Sequence, residues 1–387
     1  MKTIHVFHHT DLDGMGVKIL GILYSKSKGL NVITHKCGYN RINNEIIEIL
    51  KNPDNIEEII IGDISVNSET ANELDKIFQK GVPVRLRDHH GSASWLNRYP
   101  WAIVQETDSN LIPRCGTWWL AQDPDFQNIR SKCQIFIDWV NDWDTWRWKR
   151  KWIQPKQLNA LFSLLGEEKF TSTIIDKIEN SSGSFSGRDL FDERISIMLE
   201  VYDSLTLQRV EQCERHMYQF TLKISNKLSL GKGYFTPAER FQNLKLKTGV
   251  IFLNDNISEI GDMILERNPK LDLLAIMALP CTISWRTIKN LGISLNKIAL
   301  YATGNGGGHY YAAASSIPGN KFQDMLNYFF DNLFSRQLSF NGVVSSNFLK
   351  KKDKESPDKI KSEIQKNLER DREFFLRTSN QAGVCSQ

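Results

Sequence analysis

Three short apolar runs in the first ninety residues each end in acids or imidazoles, and this repetition limits the folds open to the chain. Ile4-His5-Val6-Phe7 runs into His8-His9-Thr10-Asp11-Leu12-Asp13-Gly14-Met15-Gly16, Ile59-Ile60-Ile61 into Gly62-Asp63, and Val82-Pro83-Val84-Arg85-Leu86 into Asp88-His89-His90-Gly91. With Asn31-Val32-Ile33-Thr34 these runs read as strands, and helix-like stretches lie between them at 17–25, 43–50 and 69–78. A β-α-β-α-β order predicts an α/β fold with a parallel sheet, helices on both faces and right-handed crossovers. Ligands of such a sheet collect beyond the carboxyl ends of its strands.

If those ends are adjacent, they gather several carboxylates and imidazoles in one crevice, which is tolerable chiefly when a cation neutralises the crowd. Alone, Asp-x-Asp-Gly is more often a turn, and an acid after an apolar run a helix cap. Three such segments in one βαβ series argue for a shared site instead. Oxygen and nitrogen donors without thiolate suit Mn²⁺, Mg²⁺, Co²⁺ or Zn²⁺ rather than a cysteine-based structural zinc site. Two cations ~3.5–4 Å apart are the usual apparatus for in-line attack on a phosphoester. Gly14 and Gly16 allow the tight turn into the next helix.

The 387 residues predict two or three domains. Six cysteines without a C-x-x-C pair read as reduced and buried. A net charge of +4 excludes a strongly basic duplex-DNA clamp, and with no membrane-length apolar run the expectation is a soluble, cytoplasmic protein. The organisation expected is a first α/β domain at 1–188, a helical linker at 189–228, a smaller α/β domain at 229–345 and a charged helical tail at 346–387 that leaves a homodimer open. The linker reads as one amphipathic helix to about residue 225, and a further helix is expected at 322–333. Nine of the ten tryptophans lie between Trp95 and Trp152. Thr145-Trp146-Arg147-Trp148-Lys149-Arg150-Lys151-Trp152 interleaves rings and cations, a mixture suited either to core packing beneath a solvated face or to single-stranded nucleic acid. In the second domain, Gly304 and Gly306-Gly307-Gly308 let a backbone approach a phosphate at a helix start, without the Gly-Lys-Ser/Thr end of a nucleotide P-loop. Arg286 suits a bidentate phosphate grip.

His9-Thr10-Asp11-Leu12-Asp13-Gly14-Met15-Gly16, Asp63 and Asp88-His89-His90 resemble the first three motifs of the DHH phosphoesterases, the superfamily of RecJ-type exonucleases, family II pyrophosphatases and nano-RNases. Ile283-Ser284-Trp285-Arg286-Thr287, followed by Gly306-Gly307-Gly308-His309-Tyr310-Tyr311-Ala312-Ala313-Ala314, is similar to the DHH-associated C-terminal domain. The resemblance covers roughly residues 1–335 and implies that His9, Asp11, Asp13, Asp63 and His89 hold two divalent cations, Mn²⁺ first, with Mg²⁺ or Co²⁺ as alternatives. His9 is preferred over His8 as the imidazole ligand. It further implies that His90 faces the scissile phosphate, that Asp88 orients the adjacent histidine, and that Arg286, Gly306, Gly307, Gly308 and His309 hold the substrate. The fourth motif offers Asp138, Asp142 and Asp144; Asp142, with Trp146 four residues on, is preferred, and Asp144 has the same spacing to Trp148. The compact first motif and tryptophan-rich fourth motif resemble the nano-RNase branch, implying hydrolysis of short RNA to mononucleotides. Alternatives are a RecJ-like exonuclease on single-stranded DNA, a hydrolase of pAp, linear or cyclic dinucleotides or polyphosphate, and a non-catalytic nucleotide sensor.

Overall fold

The computed structural model describes residues 2–150, 153–181, 183–187, 190–224, 244–278, 282–303, 306–308 and 310–316. The expected helix at 322–333, the tail at 346–387, Gly304, His309, Lys151 and Trp152 lie outside the described residues. Among the described residues, no helix is long and apolar enough to cross a membrane.

The first sheet contains β1 (Thr3–His8), β2 (Asn31–Lys36), β3 (Ile56–Gly62), β4 (Val84–Asp88) and β5 (Ala102–Val104) in the order β2-β1-β3-β4-β5. Every pair is parallel. Strand alternation divides its side chains between two cores. Ile4, Val6 and Ile60 point into one, formed with α1 (Leu12–Lys28), α4 (Gly116–Ala121), α5 (Gln127–Asp144) and α6 (Gln154–Glu179). Phe7, Ile59, Ile61 and Leu86 point into the other, covered by α2 (Ile42–Ile49) and α3 (Ser68–Gln79). Burial on both faces explains why β1, β3 and β4 read as apolar runs rather than as half-polar alternations.

The helix α7 (Glu193–His216) leads to the second sheet. It is shorter than the expected linker helix: Met217 is already extended (φ −66°, ψ 123°), and β6 (Tyr218–Ile224) follows. The reason is a change of period, since Tyr218, Phe220, Leu222 and Ile224 alternate with Gln219, Thr221 and Lys223. The other strands are β7 (Leu244–Phe252), β8 (Leu273–Ala278), β9 (Thr282–Arg286), β10 (Gly306–Gly308) and β11 (Ala312–Ser316), in the order β10-β11-β9-β8-β7-β6. Among these described strands, only β7 and β8 pair in parallel. α8 (Ile257–Arg267) packs Ile260 and Ile264 against Leu274 and Ile276, and α9 (Leu295–Thr303) follows β9. The glycine run therefore forms a short edge strand paired to β11, not the start of a helix.

Polar bonds tie α8 and the residues just before it to α7 and to the segment after α5. Tyr202 donates to Glu259 at 3.0 Å, and Arg209 pairs with Asp255 at 2.8 Å. Lys149 bonds both Asp262 and, at 2.8 Å, Glu266.

Candidate metal centre

The carboxyl ends of β1, β3 and β4 lie side by side, with His8 in register with Gly62 and Gly62 with Arg87. The segments after these three strands therefore share one edge of the sheet. Asp11 caps the N-terminus of α1, accepting from Gly14 N at 3.1 Å. A Cβ on Gly14 would sit 2.2 Å from the carbonyl oxygen of His9, so the turn admits only glycine there. Asp63 takes a left-handed backbone conformation (φ 58°) and donates its N–H to Arg87 O at 3.0 Å. Such a conformation in an acid, fixed by the neighbouring strand, places its carboxyl group where the strand alone would not.

Three overlapping groups of donor atoms result: His9, Asp11 and Asp63; Asp13, His89 and Asp144; and Asp63, Asp88, His89 and His90. Within each group the candidate atoms lie within 4.8 Å of one another. His89 Nε2 is 3.3 Å from Asp63 Oδ1, 3.5 Å from Asp144 Oδ2 and 3.9 Å from Asp13 Oδ2. His9 Nδ1 donates to Asp11 Oδ2 at 2.9 Å and lies 3.7 Å from Asp63 Oδ2. His8, the alternative ligand at the sequence level, turns away from these groups: its Nδ1 bonds the carbonyl of His9 at 2.9 Å and its Nε2 faces Glu167 at 3.7 Å.

The fourth-motif acid is placed differently from the sequence preference. Asp144 is in a donor group, whereas Asp142 is in none among the described residues and lies 3.5 Å from Arg147 Nε. Both belong to α5, where residues two apart point to nearly opposite sides. Only one of them can face the sheet edge. The rings beyond pack inward: Trp143 is buried and stacks with Trp148 at 5.6 Å, and Trp146 lies against both. With Lys149 held by Asp262 and Glu266, this stretch joins the two halves of the chain instead of offering its lysine to nucleic acid.

Electrostatics tests whether the donors fit cations. Burial, together with the carboxylates of Asp11, Asp13 and Asp144, pushes Asp63 well above the ordinary carboxyl range. Burial and the charges of Asp13 and Asp11 do the same to Asp144. Among the described residues, Asp63 Oδ2 and Asp144 Oδ2 are buried without a hydrogen-bond partner. Unpartnered buried carboxylate oxygens facing further carboxylates are what a cation would satisfy, and the oxygen and nitrogen donors suit a divalent one. For His9, burial opposes the proton, but the charge and hydrogen bond of Asp11 outweigh it and raise the imidazole's pKa. Nearby Cys115 is no thiolate donor, because burial and the charges of Asp13 and Asp144 push its thiol far up.

The supporting contacts are largely hidden in the sequence. Gly116 N and Thr117 N, at the start of α4, donate to the two oxygens of Asp13 at 2.7 and 2.8 Å. Thr117 Oγ1 donates to the Asp13 carbonyl at 2.6 Å. A Cβ on Gly116 would come within 2.7 Å of Asp63 N, which explains the glycine before Thr117. Asp88 accepts from His89 N at 2.7 Å, from His90 Nδ1 at 2.7 Å and from Ser65 Oγ. Burial alone would raise the Asp88 pKa, but the charge and hydrogen bond of His90 hold it below the usual carboxylate range. Asp88 is thus an ionised anchor for both histidines.

Arg286, at the end of β9, reaches this centre from the second sheet. Burial lowers its pKa to about 10 while the charge of Asp144 works to keep it protonated. Its Nη2 donates to Ser258 at 2.5 Å, and its Nε is buried without a partner among the described residues. The Gly306–Gly308 strand also approaches: a Cβ on Gly307 would lie 3.6 Å from Ser92 Oγ, just after the Asp88-His89-His90 motif. Of the expected substrate-binding residues, Arg286, Gly306, Gly307 and Gly308 are on this side, while His309 lies outside the described residues.

No family model matches the chain. The oligoribonuclease NrnB of Bacillus subtilis (strain 168) is 26% identical over 321 residues, covering 81% of this chain and 72% of that protein. Among solved structures, RecJ of Thermus thermophilus in complex with Mn²⁺ aligns with a TM-score of 0.46 and 13% identity, over 84% of this chain and 51% of that one. An uncharacterized protein of Helicobacter pylori G27 aligns with a TM-score of 0.36 and 16% identity, over 86% of this chain and all of that one.

Proposed function

We propose that this chain is a cation-dependent nuclease of the DHH phosphoesterase superfamily that hydrolyses short RNA to mononucleotides. The observation that carries the reading is the pair of buried carboxylate oxygens on Asp63 and Asp144 that have no hydrogen-bond partner among the described residues, set among donors from three strand ends beside Arg286. His9, Asp11 and Asp63 would hold one cation and Asp13, His89 and Asp144 the other. Cations bound there would polarise a phosphoryl oxygen and lower the pKa of an attacking water, Mn²⁺ being the first choice and Mg²⁺ or Co²⁺ alternatives.

The protein's own groups do the rest. Asp88 fixes the His90 ring through Nδ1, and the ring so oriented meets the phosphate. Arg286 presents an Nε that has no partner among the described residues to a second non-bridging oxygen, charge-assisted and in a partly desolvated setting. The β10 backbone, bare of side chains, stands beside Ser92 at the same opening. Hydrogen bonds to Asp13 from α4 keep that carboxylate from swinging when substrate enters.

The preference for short RNA rests on the compact first motif and on the match to the Bacillus oligoribonuclease. The test is release of mononucleotides from 5′-labelled RNA of two to twenty-four residues in Mn²⁺. Fast cleavage of two- to five-residue RNA with slow cleavage of longer strands supports the reading. Equal or faster cleavage of long strands favours a RecJ-like exonuclease, and cleavage only of pAp or cyclic dinucleotides a small-substrate hydrolase.

A further inference from the structure

One aromatic side chain at the candidate centre is used neither by the core nor by the chemistry above. Tyr39 lies in the loop between β2 and α2, which leaves the sheet at the same edge as the loops after β1, β3 and β4. Its ring reaches across that edge to two site imidazoles. The ring centroid is 6.1 Å from that of His9 and 6.3 Å from that of His90, which it meets edge-on. Yet Tyr39 is 52% exposed, although a ring of that size normally goes inward.

The loop that carries it is held firmly. Cys37 N donates to His8 O at 2.9 Å, and Cys37 Sγ donates to Glu45 at 3.2 Å. Arg41 pairs with Glu45 at 2.5 Å, and Arg41 N bonds the Gly38 carbonyl at 3.0 Å. The loop backbone is bonded on both sides of Tyr39, and its ring stands beside His9 and His90 with its surface open. The exposed surface is an aromatic plane beside a charged site.

We propose that Tyr39 contacts substrate, its ring stacking on a nucleobase next to the phosphodiester held at the centre, so that the site selects nucleosidic phosphodiesters over phosphates without a base. This rests on the nuclease reading above. Stacking of one base on one ring contributes ~1–3 kcal/mol and is sequence-tolerant, because every base has a π face. Tyr39 is thus a specificity residue on the β2 side, as Arg286 is a phosphate grip on the β9 side.

The test compares wild type, Tyr39→Phe and Tyr39→Leu as full chains in Mn²⁺, each checked for an unchanged thermal midpoint. The substrates are a 5′-phosphorylated diribonucleotide and the same molecule with its bases removed. Tyr39→Phe keeps the ring and stays within about twofold of wild type, while Tyr39→Leu raises KM about tenfold with little change in kcat. On the abasic substrate the penalty of Tyr39→Leu disappears. A second readout is the fluorescence of a 2-aminopurine dinucleotide with a hydrolysis-resistant linkage, quenched on binding to wild type and Tyr39→Phe but not to Tyr39→Leu. If Tyr39→Phe loses as much as Tyr39→Leu, the hydroxyl and not the ring is the contact. If the penalty persists on the abasic substrate, the role is structural. Either result overturns the proposal. A wild type inactive on every dinucleotide would refute the nuclease reading, and the quenching would still decide whether Tyr39 stacks on a base.

Discussion

The parallel sheet ends in carboxylates and the mixed sheet ends in an arginine. Asp11, Asp13 and Asp63 follow strands of the first sheet and Asp88 ends one, and their mutual repulsion is relieved locally by His9, by the α4 N-terminus and by His90. Arg286 comes from β9 in the second sheet, into the field of Asp144. Parallel strands deliver like groups to one edge, because every strand ends there. A mixed sheet sends neighbouring strand ends in opposite directions and cannot concentrate charge in this way. On the proposed function, one half of the chain would hold cations and the other would place a cationic side chain, Arg286, opposite them.

This contrast can be broken at its acidic end first. Asp63→Asn removes a carboxylate shared by two donor groups and is expected to lower kcat/KM on short RNA by about 10³-fold, the several kcal/mol that cation-assisted charge stabilisation supplies. Its thermal midpoint without added metal stays level or rises, since a buried like charge is removed. Steady-state kinetics and calorimetry on the same preparation check both.

At the basic end, Arg286→Met is expected to cost about 10- to 100-fold in kcat/KM, the worth of hydrogen bonds to a charged group. Arg286→Lys recovers little of this, because an ammonium cannot reproduce the planar fork. Full recovery by lysine would reduce the residue to a point charge.

Acid sensitivity should also divide the two halves. Six of the eight histidines lie in the first ninety residues. Burial, then the charge of His35, lowers the pKa of His5 to about 4. A histidine whose pKa is lower folded than unfolded resists protonation in the native state. Its contribution is therefore complete above the unfolded value of ~6.5 and is lost as pH falls from there towards 4. His5→Phe should flatten the fall of the thermal midpoint between pH 7 and pH 5, and a slope identical to wild type would remove His5 from the cause.

The smallest effect is expected where the halves are tied. Lys149→Met breaks the contacts to Asp262 and Glu266 and should lower the thermal midpoint by only about 1–3 °C, as for a partly exposed ion pair. RNA affinity and its salt dependence should not change, because the lysine is already occupied. A shallower salt slope would return Lys149 to the nucleic-acid surface.

The two halves also differ in what their residues reveal. In the first, buried apolar runs ending in Asp or His make both the parallel sheet and the edge where its acids and imidazoles gather readable, since the strand pattern and these residues occupy adjacent positions. Aromatic spacing favours Asp142 over Asp144, because it does not say which side of α5 faces the sheet edge. The cap on Asp13 from Gly116 and Thr117 is made by backbone N–H groups 103 and 104 residues away, and no local pattern marks it. In the second half, the change from α7 to β6 hides in a continuous stretch without proline or glycine. The edge strand Gly306–Gly308 has no side chains from which a strand could be read. Arg286 is legible only through its resemblance to a motif, because a single arginine carries no spacing.

The central claim is that the strand-end carboxylates form a divalent-cation centre completed by Asp144. Calorimetric titration of Mn²⁺ into wild type, Asp144→Asn and Asp142→Asn tests it without any assumption about substrate. Two Mn²⁺ per chain are expected for wild type and for Asp142→Asn, with affinity for at least one weakened about tenfold or more in Asp144→Asn. A wild type that binds no Mn²⁺, or an Asp142→Asn variant that loses binding while Asp144→Asn keeps it, would contradict the account.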